Sequence, residues 1–255
     1  MGKGIALITG ASAGIGHAIA EKFAEAGYDL ILAARRIDRL NELKESLGIA
    51  FGIEIYPFQL DVRDYDSVRD FASELKKSGL TPELLINNAG LASGLDDIDE
   101  GSIEDWDKMM DTNVKGLLYV SREIIPLMVK NGKGHVINIG SLAGREVYPK
   151  GAVYTASKHA VKAINDGMRM DLLDKNIKVS SVNPGLVETE FSLVRFHGDQ
   201  AKADSVYKGM KPLKAEDVAD TVLYVASAPD HVNIADVLLL PADQAASKQV
   251  RRNEN

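Results

Sequence analysis

Seven short apolar runs, separated by longer amphipathic stretches, constrain this chain more than any other feature. They are "GIALIT" (4–9), "DLILAA" (29–34), "FGIEIYPF" (51–58), "ELLINN" (83–88), "GHVINIG" (134–140), "IKVSSVNP" (177–184) and "ADVLLL" (235–240), all rich in Ile, Val or Leu. Runs of this length and composition read as strands. Strands that are apolar on both faces belong in a sheet covered on both sides. The stretches between them carry helical spacing. Ile15, Ile19 and Phe23 recur at i, i+4 and i+8 before Gly27. "RIDRLNELKESLG" stops at Gly48, and "DYDSVRDFASELKKSG" opens on an Asp-rich turn and stops at Gly79. Strand–helix alternation predicts the α/β class, a doubly wound parallel sheet with helices on both faces.

The first strand runs straight into Gly10, Gly14 and Gly16, and a helix follows. Glycine beside regular structure costs about 0.5–1 kcal/mol against alanine, so something must need the bare backbone. A strand, a glycine turn and a helix N-terminus together make an anion cradle, because free N–H groups and the helix dipole favour a phosphate. Gly10 permits the turn, Gly14 lets a pyrophosphate reach the backbone, and Gly16 lets the helix pack close. No Lys-Ser/Thr follows, which disfavours a nucleotidase P-loop. The second strand ends "AARR", where an acid would hold the ribose hydroxyl of NAD. Arg35 and Arg36 instead suit a 2′-phosphate, and the expected cofactor is NADP(H).

Further along, "YTASK" sets Tyr154 and Lys158 one helical turn apart on one face. Ser141 follows the fifth strand, at the strand end where such folds bind ligands. A free tyrosine, with a pKa of about 10, is a poor base at neutral pH. The Lys158 ammonium and a positive nicotinamide favour the phenolate and are expected to lower that value. Tyr154 then exchanges a proton with the substrate oxygen, Ser141 holds that oxygen, and the cofactor carries the hydride.

These residues, with "TGASAGIG" (9–16), "DV" (61–62), "NNAG" (87–90), "DTNVKG" and "NPGLVET" (183–189), resemble the short-chain dehydrogenase/reductase family over essentially the whole chain. The resemblance implies a three-layer Rossmann fold with a seven-stranded sheet, a catalytic set of Asn113, Ser141, Tyr154 and Lys158, and a homotetramer. By the same resemblance Ser12, Ala13 and Ile15 join the glycine loop at the cofactor, and Asp61 and Val62 flank the adenine. Asn88, Ala89 and Gly90 border the ribose, and Tyr154 and Lys158 also touch the cofactor. Pro184, Gly185, Val187 and Thr189 cover the nicotinamide and phosphates, and Asn113 holds a water in a proton relay from Lys158. "NNAGLASGL", "SIEDWDKMMDTNVKGLLYVSR" and "PGLVETEFSLVRFHGD" look like the NADP-dependent 3-hydroxy acid dehydrogenases. That narrower resemblance implies L-allo-threonine, serine, 3-hydroxyisobutyrate or 3-hydroxypropionate as substrate, or a short semialdehyde in reverse.

A carboxylate substrate wants a cation. Arg195, in a tract at 186–212 expected to act as a lid, and Arg145, just after Ser141, are the candidates. Either can equally be a surface arginine, and a pair between Arg145 and Glu146 would remove the former. Residues 1–243 are expected to form one domain, with 244–255 a loose tail. The acidic tract 95–107 reads as a solvated loop leading to a helix at Ser102. A net charge of -7 argues against nucleic acid as the main partner. The chain has no cysteine and its histidines lack metal-ligand spacing, so no metal is expected. No apolar run is long enough for a membrane span, which with the missing cysteines points to the cytoplasm. Two other functions remain open: a broad NADPH-dependent carbonyl reductase, and an NADPH-sensing regulator that does little chemistry.

Overall fold

The computed structural model describes residues 3–253. Seven strands form one parallel sheet: β1 (Ile5–Thr9), β2 (Asp29–Ala34), β3 (Ile55–Gln59), β4 (Leu84–Asn87), β5 (Gly134–Ile139), β6 (Ile177–Pro184) and β7 (Asp236–Leu239). Their order across the sheet is β3-β2-β1-β4-β5-β6-β7. The order reverses between β1 and β4, and a crevice opens there at the carboxyl ends of the strands. Every pairing is parallel, so each crossover carries helix.

One face of the sheet is covered by α1 (Gly14–Glu25), α2 (Ile37–Phe51) and α9 (Ala215–Ala226), through Ile19, Phe23, Leu40, Leu43, Val218 and Val222. The other face is covered chiefly by α3 (Tyr65–Lys77) and α5 (Leu117–Lys130), through Val68, Phe71, Leu75, Val120 and Ile124. Burying each such side chain contributes about 1.5–3 kcal/mol. α1 ends as its sequence predicts, with Gly27 at φ +84°. α3 starts where the Asp64 carboxylate accepts from the N–H groups of Asp66 and Ser67. α4 (Ile103–Met110) passes through a π-helical turn (Asp111–Gly116) into α5. α6 (Ala152–Asp171) carries "YTASK", while α7 (Glu190–Arg195) and α8 (Gln200–Ser205) lie in the tract after β6.

Three details differ from the sequence reading. α2 runs through Gly48 to Phe51, and β3 begins only at Ile55. The helix stops at Gly52, whose φ of +65° supplies the left-handed turn while its N–H bonds to the Gly48 carbonyl. Within the acidic tract, Asp105 is buried and accepts from the Ser93 hydroxyl at 2.7 Å, so that tract is not all solvated. Residues 244–253 are not loose. The Gln244 Oε1 accepts from Leu186 N at 2.9 Å, Arg251 pairs with Asp243, and Arg252 donates to the carbonyls of Val206 and Lys208. The apolar pattern fades there because the segment is held by polar contacts.

Candidate active site

A cleft of about 280 Å³ runs along the carboxyl edge of the sheet, from Arg35 and Arg36 past the glycine loop to Ser141, Tyr154 and Lys158. Ser12, Ala13, Ile15, Asp61, Val62, Asn88, Ala89, Gly90, Pro184, Gly185, Val187 and Thr189 also line it. Gly16 does not. A Cβ there would lie 2.4 Å from both the Gly10 carbonyl oxygen and the Asn88 amide nitrogen, so its role is to let α1 close onto the strand ends. Gly10 and Gly14 hold the turn at φ +68° and +54°. α1 has no side-chain cap and no acid in its first turn, which leaves its N–H groups free for an anion.

Thr9 and Asn88 stitch the reversal point. The Thr9 hydroxyl accepts from the backbone N–H groups of Asn88 and Ala89, both at 3.0 Å, and the Asn88 amide donates to the Thr9 carbonyl at 2.9 Å. The sequence reading treated Asn88 only as a cofactor contact and gave Thr9 no role. Asp61 is gripped by Arg63 at 2.6 Å, which holds its carboxyl below the ordinary range. Arg36 starts α2 and donates from Nε to the Ser12 hydroxyl at 3.2 Å. Arg39, one turn on, reaches the Ser12 carbonyl and was missed, although i+3 spacing from Arg36 on a helix was a usable signal.

At the other end, Tyr154 and Lys158 are both buried on one face of α6. Lys158 Nζ donates to the Ile139 carbonyl at 3.1 Å and has no carboxylate partner among the described residues. Burial pulls its ammonium down to about 8. Burial also pushes the Tyr154 phenol up; Tyr148 adds to the rise, and Ser141 and Arg195 draw it back only in part. The lowering expected from Lys158 is therefore not seen in the protein alone: desolvation of the phenolate dominates, and the groups that oppose it are Ser141 and Arg195. Ser141 caps the short turn Leu142–Gly144, its hydroxyl accepting from Ala143 N at 3.1 Å.

Asn113 lies in the π turn, away from the cleft lining, with its side chain fully engaged. Its amide oxygen accepts from Leu91 N, and its amide nitrogen donates to the Leu91 carbonyl and to the Ser157 hydroxyl. Ser157 in turn donates to the Tyr154 carbonyl at 2.7 Å. Ser157 sits inside "YTASK" itself, yet nothing in the spacing marked it as the bridge.

A second cavity of about 300 Å³ opens beyond Ser141 and Tyr154. Arg195 enters it from α7, with its guanidinium 5.6 Å from the ring centres of Tyr148 and Tyr154. Its Nε donates to the Gly94 carbonyl and one terminal nitrogen to the Tyr148 hydroxyl, while the other is buried and unpaired. Lys248 lies 5.2 Å from the other ring contact, Tyr148, and Arg252 completes a lining that holds no acid. Neither cation had a local sequence signal. Arg145 is turned away and pairs with Asp236, not with Glu146, whose carboxylate accepts from Ser247 N.

A glycine turn at a sheet reversal, with a buried Tyr–Lys pair beyond it, matches a known pattern. The family model for short chain dehydrogenase covers residues 4–198. The chain belongs to the short-chain dehydrogenase family. The NADP-dependent 3-hydroxy acid dehydrogenase of Schizosaccharomyces pombe is 42% identical over 97% of this chain and 96% of its own length. Sulfoacetaldehyde reductase 2 of Chromohalobacter salexigens is also 42% identical, over 95% and 96%. Among solved structures, a closed serine dehydrogenase complexed with NADP+ aligns with TM-score 0.91 at 40% identity, covering 98% of this chain and all of that one. As a short-chain dehydrogenase the chain has a cleft that fits a dinucleotide: bare N–H groups for a diphosphate, and arginines at the end of β2. Among the described residues no cluster of His, Asp or Glu could hold a metal, and no helix is long and apolar enough to cross a membrane.

Proposed function

We propose that this enzyme is an NADP-dependent dehydrogenase of short 3-hydroxy acids, with serine, L-allo-threonine, 3-hydroxyisobutyrate and 3-hydroxypropionate as its substrate class. The observation that carries the reading is the Arg195 guanidinium, 5.6 Å from the Tyr154 ring centre and lining, with Lys248 and Arg252, a cavity that holds no acid. A carboxylate there gains a charge-assisted contact. NADP, when bound, supplies the acceptor or donor of the hydride. The glycine loop takes its diphosphate, Arg35 and Arg36 its 2′-phosphate, and Asp61, Val62, Asn88, Ala89 and Gly90 the adenosine and ribose side.

Tyr154 takes the proton from the substrate hydroxyl, or returns it to the carbonyl in reverse. Ser141 holds that oxygen in place. Lys158, still largely an ammonium at neutral pH, lies on the same helix face and favours the phenolate. Asn113 fixes the loop after β4 and, through Ser157, the backbone of Tyr154. The tract 186–212 acts as a lid within one domain to which residues 244–253 also belong, and the protein works in the cytoplasm as a homotetramer.

The similarity to a sulfoacetaldehyde reductase favours one other reading, reduction of an aldehyde that bears a sulfonate, an anion the same cations can hold. Initial rates with NADP+ and with NAD+ across the four hydroxy acids and a hydroxyalkyl sulfonate test both. Turnover of the carboxylates with NADP+ supports the proposal; turnover of the sulfonate alone favours the second reading. Equal turnover of uncharged alcohols would indicate a general carbonyl reductase.

A further inference from the structure

Glu190 opens α7 and lines the cofactor cleft beside the two arginines of α2. Its carboxylate accepts from Arg36 at 3.2 Å and from Arg39 at 3.0 Å. Both arginines are also tied to Ser12 of the glycine loop, Arg36 through the hydroxyl and Arg39 through the carbonyl. They are thus fixed beside the diphosphate cradle, each with one terminal nitrogen, Nη1, engaged by Glu190. The arginines hold the Glu190 carboxyl below its ordinary range, so it is an anion at neutral pH.

We propose that Glu190 is a specificity residue that competes with the cofactor's 2′-phosphate for Arg36 and Arg39, and that Arg39 belongs to the 2′-phosphate site. The proposal rests on the NADP assignment. A phosphate on these guanidiniums sits beside a carboxylate that already holds one nitrogen of each, so like-charge repulsion sets the two anions in competition. NAD lacks that phosphate and leaves Glu190 in place. The consequence reaches the substrate side, because α7 is only six residues long. Phe191 packs 5.8 Å from Tyr154, and Arg195 ends the helix 5.6 Å from the same ring. Release of Glu190 by the 2′-phosphate removes an anchor of the helix that carries the substrate-side cation, which couples the two ends of the cleft.

The test uses fragments without nicotinamide. Calorimetric titration of the full protein with 2′,5′-ADP and with 5′-AMP isolates the 2′-phosphate. Glu190→Gln is expected to bind 2′,5′-ADP about tenfold more tightly, the scale of losing competition from two half-exposed ion pairs, with 5′-AMP unchanged. Arg39→Ala weakens 2′,5′-ADP alone. In the absence of cofactor, amide exchange across residues 190–195 is faster in Glu190→Gln than in the wild type. Glu190→Gln protein that binds 2′,5′-ADP equally or more weakly, while wild type prefers it to 5′-AMP, overturns the proposal alone. Wild type that binds the two probes equally overturns the 2′-phosphate assignment and the proposal with it.

Discussion

The two ends of the cleft are built from different material. The cofactor end is mostly backbone: a glycine turn, the N–H groups of α1, and strand ends stitched by Thr9 and Asn88. The substrate end is side chains from distant parts of the chain: Ser141 and Tyr148 after β5, Tyr154 on α6, Arg195 on α7 and Lys248 near the C-terminus. Backbone cradles recognise what every dinucleotide shares, whereas side chains recognise what one substrate has. Changes to the backbone cradle should therefore alter affinity for NADP and NAD alike, changes to the arginines after β2 should separate the two, and changes at the substrate end should alter which substrate is used.

The largest expected effect lies where the two ends meet. Tyr154→Phe should lower kcat by about 10²–10⁴-fold, the range for a general acid–base, and leave NADP+ affinity within a few-fold. A comparable loss of cofactor binding would erase the distinction between the ends. Next, Arg35→Ala combined with Arg36→Ala should weaken NADPH about 10²-fold and NADH little, since charged hydrogen bonds contribute about 1.5–3 kcal/mol each. Equal losses would mean that the β2 end reads the adenosine and not its phosphate.

Lys158 offers a measurement on stability. Its ammonium is buried without a carboxylate, which costs stability at neutral pH. The folded value of about 8 lies below the unfolded 10.5, so the unfolded chain binds more protons between those two pH values. Stability attributable to this group then rises as pH climbs from about 8 towards 10.5 and is lowest below 8. Lys158→Met should remove most turnover yet stabilise the cofactor-free protein at pH 7 by at most about 3 kcal/mol, with the gap narrowing by pH 10. Denaturant unfolding at both pH values reads this directly. A destabilised variant would show that the Ile139 contact outweighs the buried charge. The smallest effect belongs to Lys248→Ala, expected to raise KM for hydroxy acids about twofold to fivefold through loss of one exposed cation, with kcat held.

The same contrast explains what the sequence made legible. The order of elements, the glycine turn and the Tyr–Lys pair are local patterns, and the structure places them as the periodicity implies. Gly48 misled because a glycine inside a helix looks like a stop until the left-handed position, Gly52, is known. The segment 244–253 looked loose because polar ties such as Gln244 to Leu186 leave no apolar period. Arg195 and Arg145 could not be separated from spacing alone. Only the fold shows that one faces Tyr154 and the other is paired with Asp236.

The account stands most squarely on Arg195 as the reader of substrate charge. The decisive measurement is kcat/KM with NADP+ for 3-hydroxypropionate and for its methyl ester, in the wild type and in Arg195→Met. The account predicts a strong wild-type preference for the acid that falls about 10- to 10²-fold in the variant, with the ester rate unchanged. A wild type that uses acid and ester alike, or a variant that keeps the full preference, would contradict it.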